Sequence, residues 1–310
     1  MDWDAPEIET LITSALSEDV GSGDVSVAAT IPPSANVAAR ILARQDLVCA
    51  GLPLVERILS RLDADVSVEL YAAEGQSVPG KTVLATVNGN AGAILTGEQT
   101  LLNLVSRLSG IATLVREYAD KIEGTRAKIR DTRKTTSGMR SLEQYAIRMG
   151  GGAHHRSGLF DAMVLRHAHI VAAGGVKPAL DQAHSHTSRL LNPPELTAYE
   201  ATGTLPPSSG GFTSLPVQIE IRSEAELREA FSAGAESILL IDASPEFVAQ
   251  MAACARGIRA DCRVEVSGDI ALQDARAHAE AGVDYLSPDA LTAGVSWARL
   301  QLLVDSLEEK

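Results

Sequence analysis

The chain has 310 residues, 45% of them hydrophobic, and a formal net charge of −13. That length suits a barrel-sized domain plus a smaller one, and the acidic balance argues against a basic nucleic-acid surface. The opening MDWDAPEIET is acidic where a signal peptide would be basic, and no apolar run approaches the roughly 20 residues that cross a bilayer. A cytoplasmic protein with no membrane and no nucleic-acid partner is therefore expected. Cys49, Cys254 and Cys262 are few, widely spaced and odd in number, the pattern of reduced core thiols.

From Ala35 to about Asn90 the chain alternates at period two. ANVAARILAR, DADVSVELYA and KTVLATVNG read as half-buried strands, and LPLVERILSRL between the first two reads as a helix. A further helix is expected to begin near Thr96, where Thr96 and Gln99 offer a capping box, and to run through LLNLVSRLSGIATLVREYADKI. Past Gly124 the pattern changes to short apolar runs followed by amphipathic helices, the alternation of parallel βα units. The runs are AKIRDTR, AMVLRH, VQIEIR, SILLID, RVEVSG and VDYLSP. Ser223 with Glu226, and Ser244 with Pro245, offer starts for two of the helices between them. No dinucleotide-binding glycine fingerprint is present, which favours a (β/α) barrel of slightly reduced strand number over an open doubly wound sheet.

In a parallel barrel the working residues sit where strands end. Those ends carry Arg133 and Lys134, Arg166 and His167, Glu220 and Arg222, Asp242, Ser267 and Asp269, and Asp289. Helix capping explains an Asp or Ser at one such place, but not charge at every one. Cations come from the early strands and carboxylates from the later ones, so a mouth polarised across its width is expected. Residues 130–169, RDTRKTTSGMRSLEQYAIRMGGGAHHRSGLFDAMVLRHAH, concentrate guanidinium groups and imidazoles around a triple glycine. Planar forked donors fit carboxylate or phosphate oxygens two at a time, so this density points to capture of a small polyanion.

The stretch from Gly97 to His169, with GEQTLLN, RLSGIAT, KIRDTRKTTSGMR and LEQYAIRMGGGAHHRSGLFDAM, resembles the quinolinate phosphoribosyltransferase family, also called carboxylating nicotinate-nucleotide pyrophosphorylase. EDVGSGDVS and EAGVDYLSPDALT extend a looser likeness along most of the chain. The resemblance implies an N-terminal α/β sandwich domain over 1–110 and an open (β/α) barrel over 111–310, of about six to seven strands. It implies a homodimer as well, whose site lies between one barrel and the partner's first domain. The family joins quinolinate to phosphoribosyl pyrophosphate, releases pyrophosphate and loses the 2-carboxylate to give nicotinate mononucleotide, a step of NAD biosynthesis, with Mg²⁺ as the natural partner of the pyrophosphate. By the same resemblance Arg133, His155 and Arg156 would hold the two carboxylates, and Lys134 would neutralise the reacting carboxylate or the leaving group. Glu220 and Asp242 would hold the ribose hydroxyls and the metal. His169 would hydrogen-bond within the anion pocket, and Ser267 and Gly268 would cradle the 5′-phosphate.

Several positions depart from the family pattern. Gln99 stands where the family has Arg, and Arg166 where it has Lys, a change that keeps charge but not shape. The phosphate loops carry Asp269 and Asp289 in place of glycine. Facing a phosphate at about 4 Å, each carboxylate costs roughly 4 kcal/mol per unit charge pair at an effective dielectric of about 20, unless it turns away to cap a helix. These two residues separate the family enzyme from a divergent relative that acts on another aromatic carboxylate or donor. A non-catalytic anion-binding relative is a third reading, against which Glu220 and Asp242 argue. His167 with His169, and His184 with His186, are spaced for one face of a strand, but they lack the thiolate or carboxylate company of most zinc sites. Residues 178–215 are rich in Pro, Ser, Gly and Thr in their second half and read as a long surface loop or a lid.

Overall fold

The computed structural model describes residues 1–190 and 215–308, and the chain divides into two units. The first comprises 1–121, 134–154 and 289–310, the second 122–133 and 155–288.

The first unit is built on an antiparallel sheet in the order β12 (Leu300–Glu308), β1 (Asn36–Ala43), β5 (Val83–Asn90), β3 (Ser67–Leu70), beside a short pair, β2 (Leu47–Val48) and β4 (Ser77–Val78). The period-two pattern is obeyed along β1, where every second residue, Val37, Ala39, Ile41 and Ala43, is buried. The helix Pro53–Leu59 lies where LPLVERILSRL placed one. Sequence reading missed β12, which runs antiparallel to β1 from Ala43 opposite Leu300 to Asn36 opposite Glu308.

The long helix starts at Ala91, ahead of Thr96, and ends at Lys121. Asn90 is the reason: its Oδ1 accepts the N–H of Ala93 at 3.1 Å and so caps the first turn. Thr96 therefore lies inside the helix, and Gln99 donates to Asn103 at 2.7 Å; the expected capping box does not form. Ile94, Leu101, Leu108, Ile111 and Val115 make a fully buried stripe at helical spacing. From the same helix Arg107 donates to the buried Glu143 at 2.7 Å and to the Thr292 carbonyl at 3.1 Å. This ties 134–154 and 289–310 to the first unit.

The second unit is a parallel sheet of six strands: β6 (Lys128–Ile129), β7 (Met163–Leu165), β8 (Val217–Glu220), β9 (Ser237–Ile241), β10 (Arg263–Gly268) and β11 (Tyr285–Pro288). Each coincides with one of the six apolar runs. The spatial order is β6-β11-β10-β9-β8-β7, so the chain steps from neighbour to neighbour from β7 to β11 and then meets β6. That is the winding of a barrel left open between β6 and β7, not the reversal of a doubly wound sheet. Ser223 accepts from Glu226 N–H at 3.2 Å and Ser244 from Phe247 N–H at 3.3 Å, with Pro245 in the first turn. Of the loop expected over 178–215, the first part is helical, within Val176–Leu190; residues 191–214 lie outside the described residues. Among the described residues no helix is long and apolar enough to cross a membrane.

In the first unit, a side chain at Gly110 would collide with the Ser296 carbonyl. Gly110→Val is expected to lower stability by about 1–3 kcal/mol through overpacking, read as a lower midpoint in thermal unfolding. An unchanged midpoint would show that the 296–298 segment yields without cost.

Candidate active site

β6 leads directly into Arg130, Asp131 and Arg133. Asp131 is buried and accepts the backbone N–H of His155 at 2.6 Å, which fixes the start of the 155–161 segment against the end of the strand. Two of the predicted site residues, Arg133 (φ 62°) and Asp242 (φ 49°), have left-handed backbones. Side chains rarely adopt this region, and it persists where surrounding bonds over-determine it.

Three guanidinium groups gather in the second unit. Arg156 donates to the Ala162 carbonyl at 2.9 Å. Its pKa is held below the ordinary arginine value, first by burial and then by the charges of Arg133 and Arg166, with Asp161 opposing. Arg166 in turn donates from Nε to Glu220 Oε2 at 2.8 Å, and the same oxygen accepts the N–H of His167 at 3.0 Å. Glu220 is buried, so both donors replace water it has lost.

Asp242 follows β9. Its own N–H donates to the Ser267 carbonyl at 2.9 Å, and its Oδ1 accepts the N–H of Asp269 at 3.0 Å. Gly268, at φ 137°, passes so close to this carboxylate that a Cβ would overlap Oδ1. Ser267 and Gly268 thus act here by placing Asp242 through the backbone. Beside them opens a recess of about 290 Å³ lined by Ile221, Arg222, Asp242, Ser244 and Phe247.

Other predicted residues do different work. His169 is exposed, and its Nδ1 accepts the N–H of Arg166 at 3.1 Å, so it caps the helix His167–Ala173. In the first unit Lys134 forms an ion pair with Asp289, and its carbonyl accepts the Thr292 hydroxyl at 2.7 Å. The expected separation of positive and negative walls is therefore corrected: Arg166 pairs with Glu220, and Lys134 with Asp289. Asp289 neutralises a lysine and makes no side-chain cap. Gln99 lies on a recess of about 620 Å³ in the first unit, with Arg44, Asn103, Trp297 and Arg299.

Comparison with known proteins decides the family. The model described as quinolinate phosphoribosyl transferase, N-terminal domain, matches residues 24–109, and its C-terminal counterpart matches 111–200 and 210–303. The chain belongs to the quinolinate phosphoribosyltransferase family. It is 33% identical to a probable carboxylating nicotinate-nucleotide pyrophosphorylase of Bacillus subtilis, over 93% of this chain and 90% of that one. It is 36% identical to the carboxylating nicotinate-nucleotide pyrophosphorylase of Mycobacterium leprae, over 92% of each. The crystal structure of NadC from Streptococcus pyogenes superposes with a TM-score of 0.81 at 30% identity, covering 97% of this chain and 96% of that one.

In this quinolinate phosphoribosyltransferase family member, sequence reading missed a buried polar layer beneath the site. Glu265 on β10 is 3% exposed; its oxygens accept from Arg130 at 3.0 Å, Gln218 at 2.8 Å and Ser287 at 2.6 Å. Arg130 also lies over the Tyr285 ring, 4.3 Å from its centroid. The available signal was a charged or amide residue inside an apolar strand run, Glu265 in RVEVSG and Gln218 in VQIEIR.

Gly268→Ala is expected to displace the Asp242 carboxylate and to lower stability by about 1–3 kcal/mol, the range for backbone strain. Chemical denaturation checks it, and an unaltered midpoint would mean that Asp242 has room to move.

Proposed function

We propose that this protein joins quinolinate to phosphoribosyl pyrophosphate and decarboxylates the adduct to nicotinate mononucleotide. The pyridine nitrogen forms a bond to the anomeric carbon as the bond to pyrophosphate breaks. The 2-carboxylate then leaves as carbon dioxide, its bonding electron pair stays on the ring carbon beside the pyridinium, and that carbon takes a proton. The observation that carries this reading is the gathering of Arg133, Arg156 and Arg166 in the second unit, where burial first, and then the charges of Arg133 and Arg166, lower the Arg156 pKa. Like charges gathered in a partly buried place repel one another, and an aromatic dianion relieves that repulsion. Arg133, His155 and Arg156 would hold the two carboxylates. Lys134, with Asp289, would offset charge on the reacting carboxylate or on the departing pyrophosphate. Arg166 would take the place of the family's lysine.

Mg²⁺ fits this site as a cation carried in on pyrophosphate. Among the described residues no group of three His, Cys, Asp or Glu gathers to hold a metal, and Mg²⁺ is commonly held by one or two carboxylates together with substrate phosphates. Glu220 and Asp242 would be those carboxylates, each with one oxygen already engaged by protein donors. When bound, the ion would supply charge neutralisation for the leaving group. We assign the protein to the cytoplasm, in keeping with its three free thiols. We also assign it a homodimeric state, supported by the family and by the half-exposed Trp297 beside Gln99.

Purified protein with quinolinate, phosphoribosyl pyrophosphate and Mg²⁺ is expected to yield nicotinate mononucleotide, followed by mass spectrometry. Product seen only with Asp269→Gly plus Asp289→Gly would instead favour a relative with another donor. Arg133→Ala is expected to raise the KM for quinolinate about 10- to 100-fold, the loss of a charge-assisted hydrogen-bonding partner; an unchanged KM would remove Arg133 from the pocket. Light scattering should return twice the chain mass, and a monomer of full activity would overturn the dimer.

A further inference from the structure

His155 is half-buried, and one of its ring nitrogens is already committed. Gln218 Oε1 lies 3.3 Å from His155 Nε2, while the Gln218 amide nitrogen lies 2.8 Å from Glu265 Oε2. The direction of this chain follows from what each group can do. Glu265 accepts from Arg130, Gln218 and Ser287; a carboxylate so surrounded acts as acceptor, and the Gln218 NH₂ must face it. The Gln218 carbonyl is then turned to the imidazole, and a carbonyl also only accepts. The ring must place a proton on Nε2.

A neutral imidazole carries one N–H and one lone pair. With the proton held on Nε2, Nδ1 bears the lone pair, which repels a carboxylate. We propose that Gln218 and Glu265 are positioning residues for the reaction: they hold the His155 proton on Nε2, so that Nδ1 grips a substrate carboxylate only after taking up a second proton. This rests on the carboxylate role proposed for His155 above. The surroundings agree. Burial lowers the imidazole pKa and outweighs the other influences, Glu265 and Asp131 raising it and Arg130 lowering it. The ring is therefore neutral in the free protein at neutral pH, and binding of a dianion draws in a proton.

The sign of the pH effect follows. Between the imidazole pKa of the free protein and its higher value in the complex, rising pH removes the proton that binding requires. The KM for quinolinate is thus expected to climb by up to about tenfold per pH unit in that window, with kcat and the KM for phosphoribosyl pyrophosphate little changed.

Nitrogen-15 NMR of histidine-labelled wild-type protein tests the tautomer without any variant, with the His155 signal assigned by its loss in His155→Gln. The expected result is a protonated-type shift at Nε2 and a lone-pair-type shift at Nδ1; the reverse pattern overturns the proposal. Gln218→Met keeps the volume and removes the acceptor, and should flatten the climb of KM with pH. Glu265→Gln lets Gln218 turn round and should move the proton to Nδ1. If His155→Gln leaves the KM for quinolinate unchanged, the carboxylate role of His155 falls, and this proposal with it. If His155→Gln raises that KM about tenfold while Gln218→Met keeps the wild-type pH profile, the role stands and only the Gln218–Glu265 relay falls.

Discussion

A carboxylate taken out of water holds the working end of the second unit in register. Isolated in an apolar interior, an ionised carboxylate costs many kcal/mol, and the cost is offset only when donors replace the lost hydration. Glu265 has three, brought by Arg130 after β6, Gln218 on β8 and Ser287 on β11. Each donor is in place only while its strand keeps its register, because a slip of one residue turns every side chain to the opposite face. Satisfying one buried group therefore fixes the strand ends that carry the site.

Charge is arranged by local balance rather than by opposed walls. Arg166 against Glu220 and Lys134 against Asp289 are near-neutral pairs, set in a chain whose net charge is −13. An anion that displaces a carboxylate from such a pair exchanges one partner for another, with less net change of charge than entry into an open cationic cleft. The same pairing removes much of the difficulty posed by Asp289: read as a bare carboxylate it repels a phosphate, but beside Lys134 it contributes half of a neutral pair. Asp269 is handled differently, exposed and with its N–H given to Asp242.

The sequence was most readable where one period dominates a run. Six apolar segments became six parallel strands, and alternation in ANVAARILAR became the alternate burial of β1. It was least readable where a distant partner decides. LQLLVDSLE forms β12 because β1 offers an edge to it, a long-range fact absent from local pattern. The start of the long helix turned on whether Asn90 or Thr96 supplied the cap, two residues with similar capping ability. At the site, Arg133, Arg166, Glu220 and Asp242 were visible as charges at strand ends, and Arg156 through the family resemblance. Glu265 and Gln218 were hidden because a polar residue in a strand reads as solvent-facing until the barrel interior encloses it. Equally hidden was that the ring of His169, three positions into a helix, reaches back to the backbone N–H of Arg166.

The two left-handed residues show how the strand ends convert sequence into geometry. A backbone at φ 49° in Asp242 is unfavourable for a residue with a Cβ, and bonds at both ends of the same residue retain it: its N–H to Ser267 and its carboxylate to the N–H of Asp269. That grip requires the chain to pass close over the carboxylate at position 268, where only a residue without a Cβ leaves room. Gly268 is thus explained by Asp242 before any phosphate is considered.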